Sequence, residues 1–239
     1  MRNGDPSSAD AIARNVREVL ERIGRAAARA GRRPETVCLV AATKTVPVAR
    51  IRHAVGAGVR ILGESRLQEA LPKIEALEGR DVRWHFIGTV QRRKVKAIVG
   101  AFAMIQSVDS LDLAVEIDRR AGDAGIRQAV LLEINVGGEP TKAGFSPGGV
   151  ADAVAALDAL PNLAVQGLMA IPPPGGDAEA SRPYFRAVRE LARSLAGPAL
   201  KRLRMEELSM GMSGDFEVAV EEGATMVRVG TAIFGERNG

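Results

Sequence analysis

"TVCLVAATKTVPVARIRHAVGAGVRILGESRLQEALPKIEAL", residues 36 to 77, holds two short apolar runs, each followed by a helical pattern. The first run, "TVCLVAAT" (36 to 43), is uncharged and gives way past Pro47 to "VARIRHAVGAG"; the second, "VRILGE" (59 to 64), precedes "RLQEALPKIEAL". Short apolar runs of this kind suit strands of a parallel sheet covered by helices, and the helical stretches between them supply the crossovers. Lys44 follows the first run directly, an ammonium group set at the end of an uncharged strand.

The alternation continues outward. "VRWHFIG" (82 to 88) leads to "RRKVKAIVG", "AMIQSVD" (103 to 109) to "LDLAVEIDRRAGDAG", and "QAVLLEINV" (128 to 136) to "GGVADAVAALDAL". "LAVQGLMAI" (163 to 171) leads to "AEASRPYFRAVRELARSLA", "MEELSMG" (205 to 211) to "DFEVAVEEGA", and "MVRVGTAIF" (226 to 234) closes the series. Eight strand candidates alternating with helices in 239 residues match an α/β fold of the (β/α)8 TIM barrel type. A doubly wound open sheet shares this periodicity and stays open as the alternative. Ahead of the series, "DAIARNVREVLERIGRAAARA" (10 to 30) places Ile12, Val16, Val19, Leu20 and Ile23 at helical spacing. Ser8 or Asp10 is the N-cap and Gly31 the stop, which makes an extra N-terminal helix. "IPPPGGDAEAS" (171 to 181), the most irregular piece, falls where a strand-to-helix loop belongs, so a single domain over 1 to 239 is expected, with residues 1 to 9 flexible.

Composition narrows the function classes. No stretch approaches the roughly 18 to 20 consecutive apolar residues of a membrane span, and "MRNGDPSSAD" lacks the apolar run of a signal peptide. The expectation is a cytoplasmic protein with no membrane partner. The single cysteine, Cys38, excludes an intramolecular disulfide and reads as a buried core thiol. Net charge is +4, and the densest basic patch, "QRRKVK" (91 to 96), is short. With aromatics at 3% there is little material for base stacking, so the patch reads as a solvated helix face and no nucleic-acid partner is expected. No metal site is expected.

In a barrel, chemistry gathers at the C-terminal ends of the strands. That position selects Lys44, Gly63 to Arg66, His85 to Gln91, Ser107 to Ser110, Asn135 to Gly144, Met169 to Pro174, Gly211 to Asp215 and Arg228 to Gly235. An amine that loses hydration at a buried strand end becomes a better nucleophile, which favours Schiff-base chemistry. A lysine whose stem packs on apolar surface while its head reaches water fits the position equally well. "SMGMSGDF" (209 to 216) and "RVGTAIFG" (228 to 235) should form the loops after the last two strands, where barrels commonly hold phosphate. Arg228, embedded in "MVRVG", needs a partner to avoid an unpaired buried charge. Either a salt bridge to Glu206 or Glu207 or a ligand's pyridine nitrogen would serve. Pyridoxal 5'-phosphate (PLP) offers the three matching handles: an aldehyde, a phosphate and a ring nitrogen.

The motifs "AATKTVP", "GESRLQEALPKI", "WHFIGTVQRRK", "SVDS", "INVGGEPTKAGF", "GLMAIPPP" and "LSMGMSGDFEVAVEEGATMVRVGTAIFG" follow in order. From about residue 36 onward the chain resembles the pyridoxal phosphate homeostasis proteins, the YggS/PROSC-like family. The resemblance implies a barrel of the alanine racemase N-terminal type that carries PLP as an internal aldimine and serves vitamin B6 homeostasis. By position, it implies Lys44 as the aldimine lysine, Arg228 as partner of the pyridine nitrogen, and Ser213, Gly230 and Thr231 as phosphate ligands. Met212, His85 and Gly88 would line the pocket. The family commonly reads Gly-Glu-Asn-Tyr-Val-Gln-Glu where this chain has "GESRLQE" (63 to 69), so Ser65 and Arg66 stand at the Asn and Tyr positions. Thr89 replaces a common Pro, and Arg92 and Arg93 replace smaller polar residues.

Racemases resembling this barrel take a second base from a tyrosine on an additional β domain. The one tyrosine here, Tyr184, falls in a helical pattern after the Pro-rich loop. A guanidinium also cannot protonate the ring nitrogen as a carboxylic acid would, which weakens the ring as an electron sink. The expected function is therefore storage, buffering or delivery of PLP, with PLP-dependent apo-enzymes as recipients and the monomer favoured over the dimer. A low-activity PLP-dependent racemase or lyase, with Lys44 as one base and His85 or a substrate-bound water as the other, is the alternative.

Overall fold

The computed structural model describes residues 8–197, 200 and 202–236. Helix α1 (Ala9–Arg29) begins where the Ser8 hydroxyl accepts the Ala11 N–H at 3.2 Å, so Ser8 and not Asp10 is the cap. It ends ahead of Gly31, whose φ of +66° gives the left-handed stop. Ile12, Val16, Val19 and Ile23 are buried, whereas Leu20 is 44% exposed at the edge of the stripe. Of the stretch expected to be flexible, residues 1–7 lie outside the described residues, and Ser8 and Ala9 form the cap and first turn of α1.

Strands and helices then alternate: β1 (Cys38–Ala42), α2 (Val48–Gly56), β2 (Ile61–Glu64), α3 (Leu67–Ala76), β3 (Arg83–Phe86), α4 (Val95–Ile98), β4 (Met104–Val108) and α5 (Leu111–Asp123). The second half runs β5 (Gln128–Ile134), α6 (Pro147–Asp158), β6 (Leu163–Ala170), α7 (Arg182–Leu195), β7 (Glu207–Ser209), α8 (Phe216–Glu221), β8 (Met226–Val229) and α9 (Thr231–Phe234). The eight strands pair in parallel in chain order, and β8 returns to β1 with Val40 opposite Arg228 and Ala41 opposite Val229. This closure decides for the barrel over the open sheet. The apolar run "MVRVGTAIF" is a strand only to Val229; Gly230 ends it, and residues 231–234 turn as α9 against α1, where Asn15 Nδ2 donates to the Ile233 carbonyl at 2.9 Å. An apolar run cannot by itself distinguish a longer strand from a strand plus one packed helical turn.

Because side chains alternate across a strand, the barrel has two apolar regions. Outward residues such as Leu39, Leu62, Phe86, Ile105, Leu132 and Val227 pack beneath the helices. Inward residues Val40, Ile61, Met104, Leu131, Met169 and Met226 form a separate plug inside the sheet. Three of these six are methionines, whose flexible thioethers fill the tapering interior. Cys38, expected in the core, is half-buried at the edge of this plug; burial pushes its thiol up, with Glu207 adding to the effect and Arg83 opposing it.

The barrel leaves no room for a side chain where β6 bulges against β5. The register slips there, with Val130 opposite Val165 but Leu131 opposite Gly167. A Cβ on Gly167 would sit 1.9 Å from the Glu207 carbonyl oxygen of β7. The nearest obstructing atoms all belong to the Glu207 backbone and cannot swing aside, so Gly167→Ala is expected to lower stability by about 3 kcal/mol or more. Chemical denaturation at fixed pH measures this, and a loss below about 1 kcal/mol would mean that the β6–β7 pairing yields easily.

Candidate functional site

Above the inner apolar plug, toward the C-terminal strand ends, the inward positions turn polar. Arg228 on β8 is 5% exposed, and the acceptors it finds are not Glu206 or Glu207. Its Nη1 donates to the Ser209 carbonyl at 2.8 Å and to Ser209 Oγ at 2.6 Å, and Nη2 donates to the Ala170 carbonyl at 3.0 Å. Glu207 instead accepts from Thr225, and Glu206 pairs with Arg204 on the surface. A guanidinium has five N–H donors. Nε–H and one Nη2–H of Arg228 therefore have no acceptor among the described residues. Burial lowers Arg228 to about 10, against the pull of Glu133 and Asp215, so at neutral pH it stays a cation.

Arg228 sets the direction of a hydrogen-bond chain across the barrel. The cation can only donate, so Ser209 Oγ accepts from it and sends its own proton to Gln106 Oε1 at 2.7 Å. That orients the amide so that Gln106 Nε2 donates to His85 Nδ1 at 2.8 Å. The neutral ring of His85 is thus held with its proton on Nε2. Glu133, inward on β5, is pushed up by burial and by Asp109, with Arg228 opposing.

Lys44 lies two residues past β1, half-buried, and its Nζ has no hydrogen-bond or ion-pair partner among the described residues. The residues on either side of it are well held. Thr43 is fully buried, with its N–H on the Gly63 carbonyl at 2.9 Å and its hydroxyl on Glu64 Oε1 at 2.7 Å. Thr45 has φ +63°, alone among described non-glycine residues in being positive. The Thr45 N–H donates to Glu69 Oε2 at 3.0 Å, and this bond is the largest influence holding the Glu69 carboxyl below its usual range. Beneath the turn, Lys73 of α3 bonds Glu64 and the Thr43 carbonyl.

The last two loops meet as the barrel predicts. Ser213 Oγ accepts the N–H groups of Gly230 and Ala232, each at 3.3 Å, so two backbone donors and a hydroxyl converge between them. Thr231 is exposed at the start of α9. Met212 is also exposed and lines a cavity of about 430 Å³ with Ile171, Pro172 and Asp215; Lys44 is not part of that cavity's wall. Ser65 and Gly88 touch through their backbones: a Cβ on Gly88 would come within 2.4 Å of the Ser65 carbonyl oxygen. Ser107 Oγ donates to the Gly88 carbonyl at 2.5 Å and fixes that strand end. Arg66 turns outward to Glu69 at 2.9 Å, and Arg92, Arg93 and Lys96 are exposed. Among the described residues no group of three His, Cys, Asp or Glu side chains is placed to hold a metal ion, and no helix is long and apolar enough to cross a membrane.

The relay residues Gln106 and Ser209, the carboxylates Glu69 and Glu133, and Lys73 were not among the sequence candidates, and Glu64 fell within the selected stretch Gly63 to Arg66 with no role assigned to it. Gln106 and Ser209 carried a readable signal: polar side chains at inward positions of apolar strands.

Comparison with known proteins agrees with the geometry. Residues 7–238 match the family model described as alanine racemase, N-terminal domain. A pyridoxal phosphate homeostasis protein of Aquifex aeolicus is 49% identical over 219 residues, covering 92% of this chain and 95% of that protein. One from Pseudomonas aeruginosa is 43% identical over 95% of this chain and 96% of its own. The structure of PipY from Synechococcus elongatus with PLP bound superposes with a TM-score of 0.78 at 38% identity, covering 90% of this chain and all of that one.

His85 gives the site a pH dependence. Burial, helped by the Arg83 cation, lowers its imidazole to about 4. The unfolded chain takes up this proton near pH 6.5 and the folded chain only near 4, so stability is complete above about 6.5 and falls as pH drops through that window. His85→Gln, which still accepts from Gln106, should remove about 2 to 3 kcal/mol of the stability lost between pH 7 and 4.5. Thermal melts across that range check it; an unchanged slope would show that the ring protonates freely in the folded protein.

Proposed function

The chain belongs to the pyridoxal phosphate homeostasis family, built on the alanine racemase N-terminal domain, and from that premise we propose that it is a single-domain PLP-binding protein that stores, buffers or delivers the cofactor within the cell. The observation that carries the reading is a pair of unsatisfied cations. Lys44 and Arg228 follow or lie on strands that pair directly, and both keep donors with no acceptor among the described residues. The residues fit the cofactor's three handles. Lys44 would hold its aldehyde carbon, Arg228 would donate to its ring nitrogen, and Ser213 with the Gly230–Thr231 backbone would take its phosphate. Met212, His85, Gly88 and Ser65 border the same strand ends.

When bound, the cofactor supplies an electrophilic carbon joined to an electron-accepting ring. The protein's own groups restrain that chemistry. Arg228 keeps its proton at neutral pH, so it would hydrogen-bond the ring nitrogen without protonating it. His85 already uses its Nδ1 lone pair on Gln106 and carries a proton on Nε2, which leaves no basic site to take a Cα proton. The racemase or lyase reading that relies on His85 is accordingly not favoured. PLP-requiring apo-enzymes are the proposed recipients, and the protein acts as a monomer without membrane or nucleic-acid partners.

Purified protein supplied with PLP should turn yellow, and borohydride should fix the cofactor on Lys44, located by peptide mass. Lys44→Ala should lose both signals completely; a mutant that keeps the full absorbance would refute the lysine's role. Deuterium wash-in at Cα of the common amino acids should stay well below about 1 per second. Turnover at or above that rate would replace the carrier reading with an enzyme.

A further inference from the structure

We propose that Lys73 is a positioning residue for Lys44: its buried ammonium, shared between Glu64 and the Thr43 carbonyl, fixes the turn from which the Lys44 amine reaches a carbonyl ligand. The inference rests on the PLP reading and adds to it a helix residue outside the barrel strands. Lys73 is 8% exposed and Glu64 is fully buried. Lys73 Nζ donates to Glu64 Oε1 at 2.6 Å and to the Thr43 carbonyl at 2.8 Å. The Thr43 hydroxyl donates to the same Oε1, while Glu64 Oε2 is buried with no partner, so the carboxylate spends all its bonds on one side, toward the turn. On the far side of Lys44, Glu69 Oε2 takes the Thr45 N–H and stands 4.0 Å from Lys73 Nζ. One ammonium therefore lies against both carboxylates that hold the residues flanking Lys44, pairing directly with Glu64 and standing beside Glu69, which Arg66 also neutralises.

Packing alone does not account for this. A buried ion pair is often no more stabilising than apolar residues of the same volume, so α3 would seat on the barrel as well with a methionine at 73. What an apolar side chain cannot do is donate to the Thr43 carbonyl. The turn needs such a hold, because a β-branched residue at positive φ costs about 1 to 3 kcal/mol and persists only where its surroundings impose it. With Thr43 and Thr45 fixed, the Lys44 stem leaves a rigid base, and attack on an aldehyde held by other groups is sensitive to placement at the level of an ångström.

The test compares two ligands. Pyridoxamine phosphate shares the ring and phosphate of PLP but has no aldehyde, so its binding does not depend on where the Lys44 amine stands. In Lys73→Met/Glu64→Gln, which removes the pair without stranding a charge, Schiff-base formation followed by the yellow band should slow about tenfold and borohydride trapping should fall with it. Pyridoxamine phosphate affinity should be unchanged, and circular dichroism should report the native fold. A wild-type rate in the double variant, or an equal loss for both ligands, overturns the positioning role. Should the double variant fail to fold, Glu69→Gln, which loosens the Thr45 side alone, is read by the same two ligands with the same outcomes deciding. If the unaltered protein forms no Schiff base with PLP, the parent reading fails first and visibly, before any variant is compared.

Discussion

Arg228 places a permanent cation inside the sheet with no carboxylate hydrogen-bonded to it, and much of the upper barrel is arranged around that constraint. Taking such an ion out of water costs several kcal/mol even after relaxation. The three hydrogen bonds it makes, each worth about 1.5 to 3 kcal/mol when the donor is charged, offset a large part of that cost. The remainder is visible in the lowered pKa. Because the cation can only donate, its bonds dictate which way Ser209 and Gln106 point, and through them which nitrogen of His85 carries a proton. A charge on β8 thereby sets the tautomer of a ring on β3, across the barrel lumen.

Barrel closure gives that charge its neighbours. The β8–β1 pairing puts Arg228 opposite Val40, and the chain after Val40 needs four residues to reach Lys44. The loops after β7 and β8 meet at Ser213 because α9 starts immediately at Thr231. Had the run continued as strand, as its apolar pattern suggested, the Gly230 and Ala232 N–H groups would have run parallel and about 6.6 Å apart along one strand edge, too far apart to converge on one hydroxyl. The short final helix is thus the local feature that makes an anion cradle out of two loops.

The fold was legible because buried parallel strands write themselves as short apolar runs and eight of them at this spacing leave few architectures. Closure was not legible, since an open sheet has the same periodicity. At the site, Lys44, Ser213 and Arg228 were readable as polar residues placed after or within apolar strands. The supporting groups were harder to find. Lys73 sits beside the helical stripe Leu67, Ala70, Ile74, Leu77, so a lysine there looks like a flank residue; yet it is buried, and Leu71, an apolar residue, is 42% exposed. Helical spacing fixes which side chains share a face within about one residue, and a single step decides whether an ammonium is in water or on Glu64. The burial of Glu64 was hidden for a similar reason: as the last residue of "ILGE" it reads as the point where the strand emerges into solvent, and only the packing of α3 over it shows that it does not.

The two buried cations among the described residues, Lys73 and Arg228, differ in one respect that bears on function. Lys73 is matched: Glu64 neutralises it, and its bonds run inward to the backbone of the turn, so nothing is left to attract a ligand. Arg228 is unmatched among its hydrogen-bond partners, and its free donors remain in the lumen. A matched pair suits a part that must stay in place, because breaking it would strand a charge and cost about 3 to 5 kcal/mol. An unmatched cation suits a part that must accept and release an acceptor, because the protein alone never satisfies it fully. Reversible holding of a cofactor requires both kinds at once, a lysine whose base does not move and a binding group whose energy improves on occupancy without becoming indispensable to the fold.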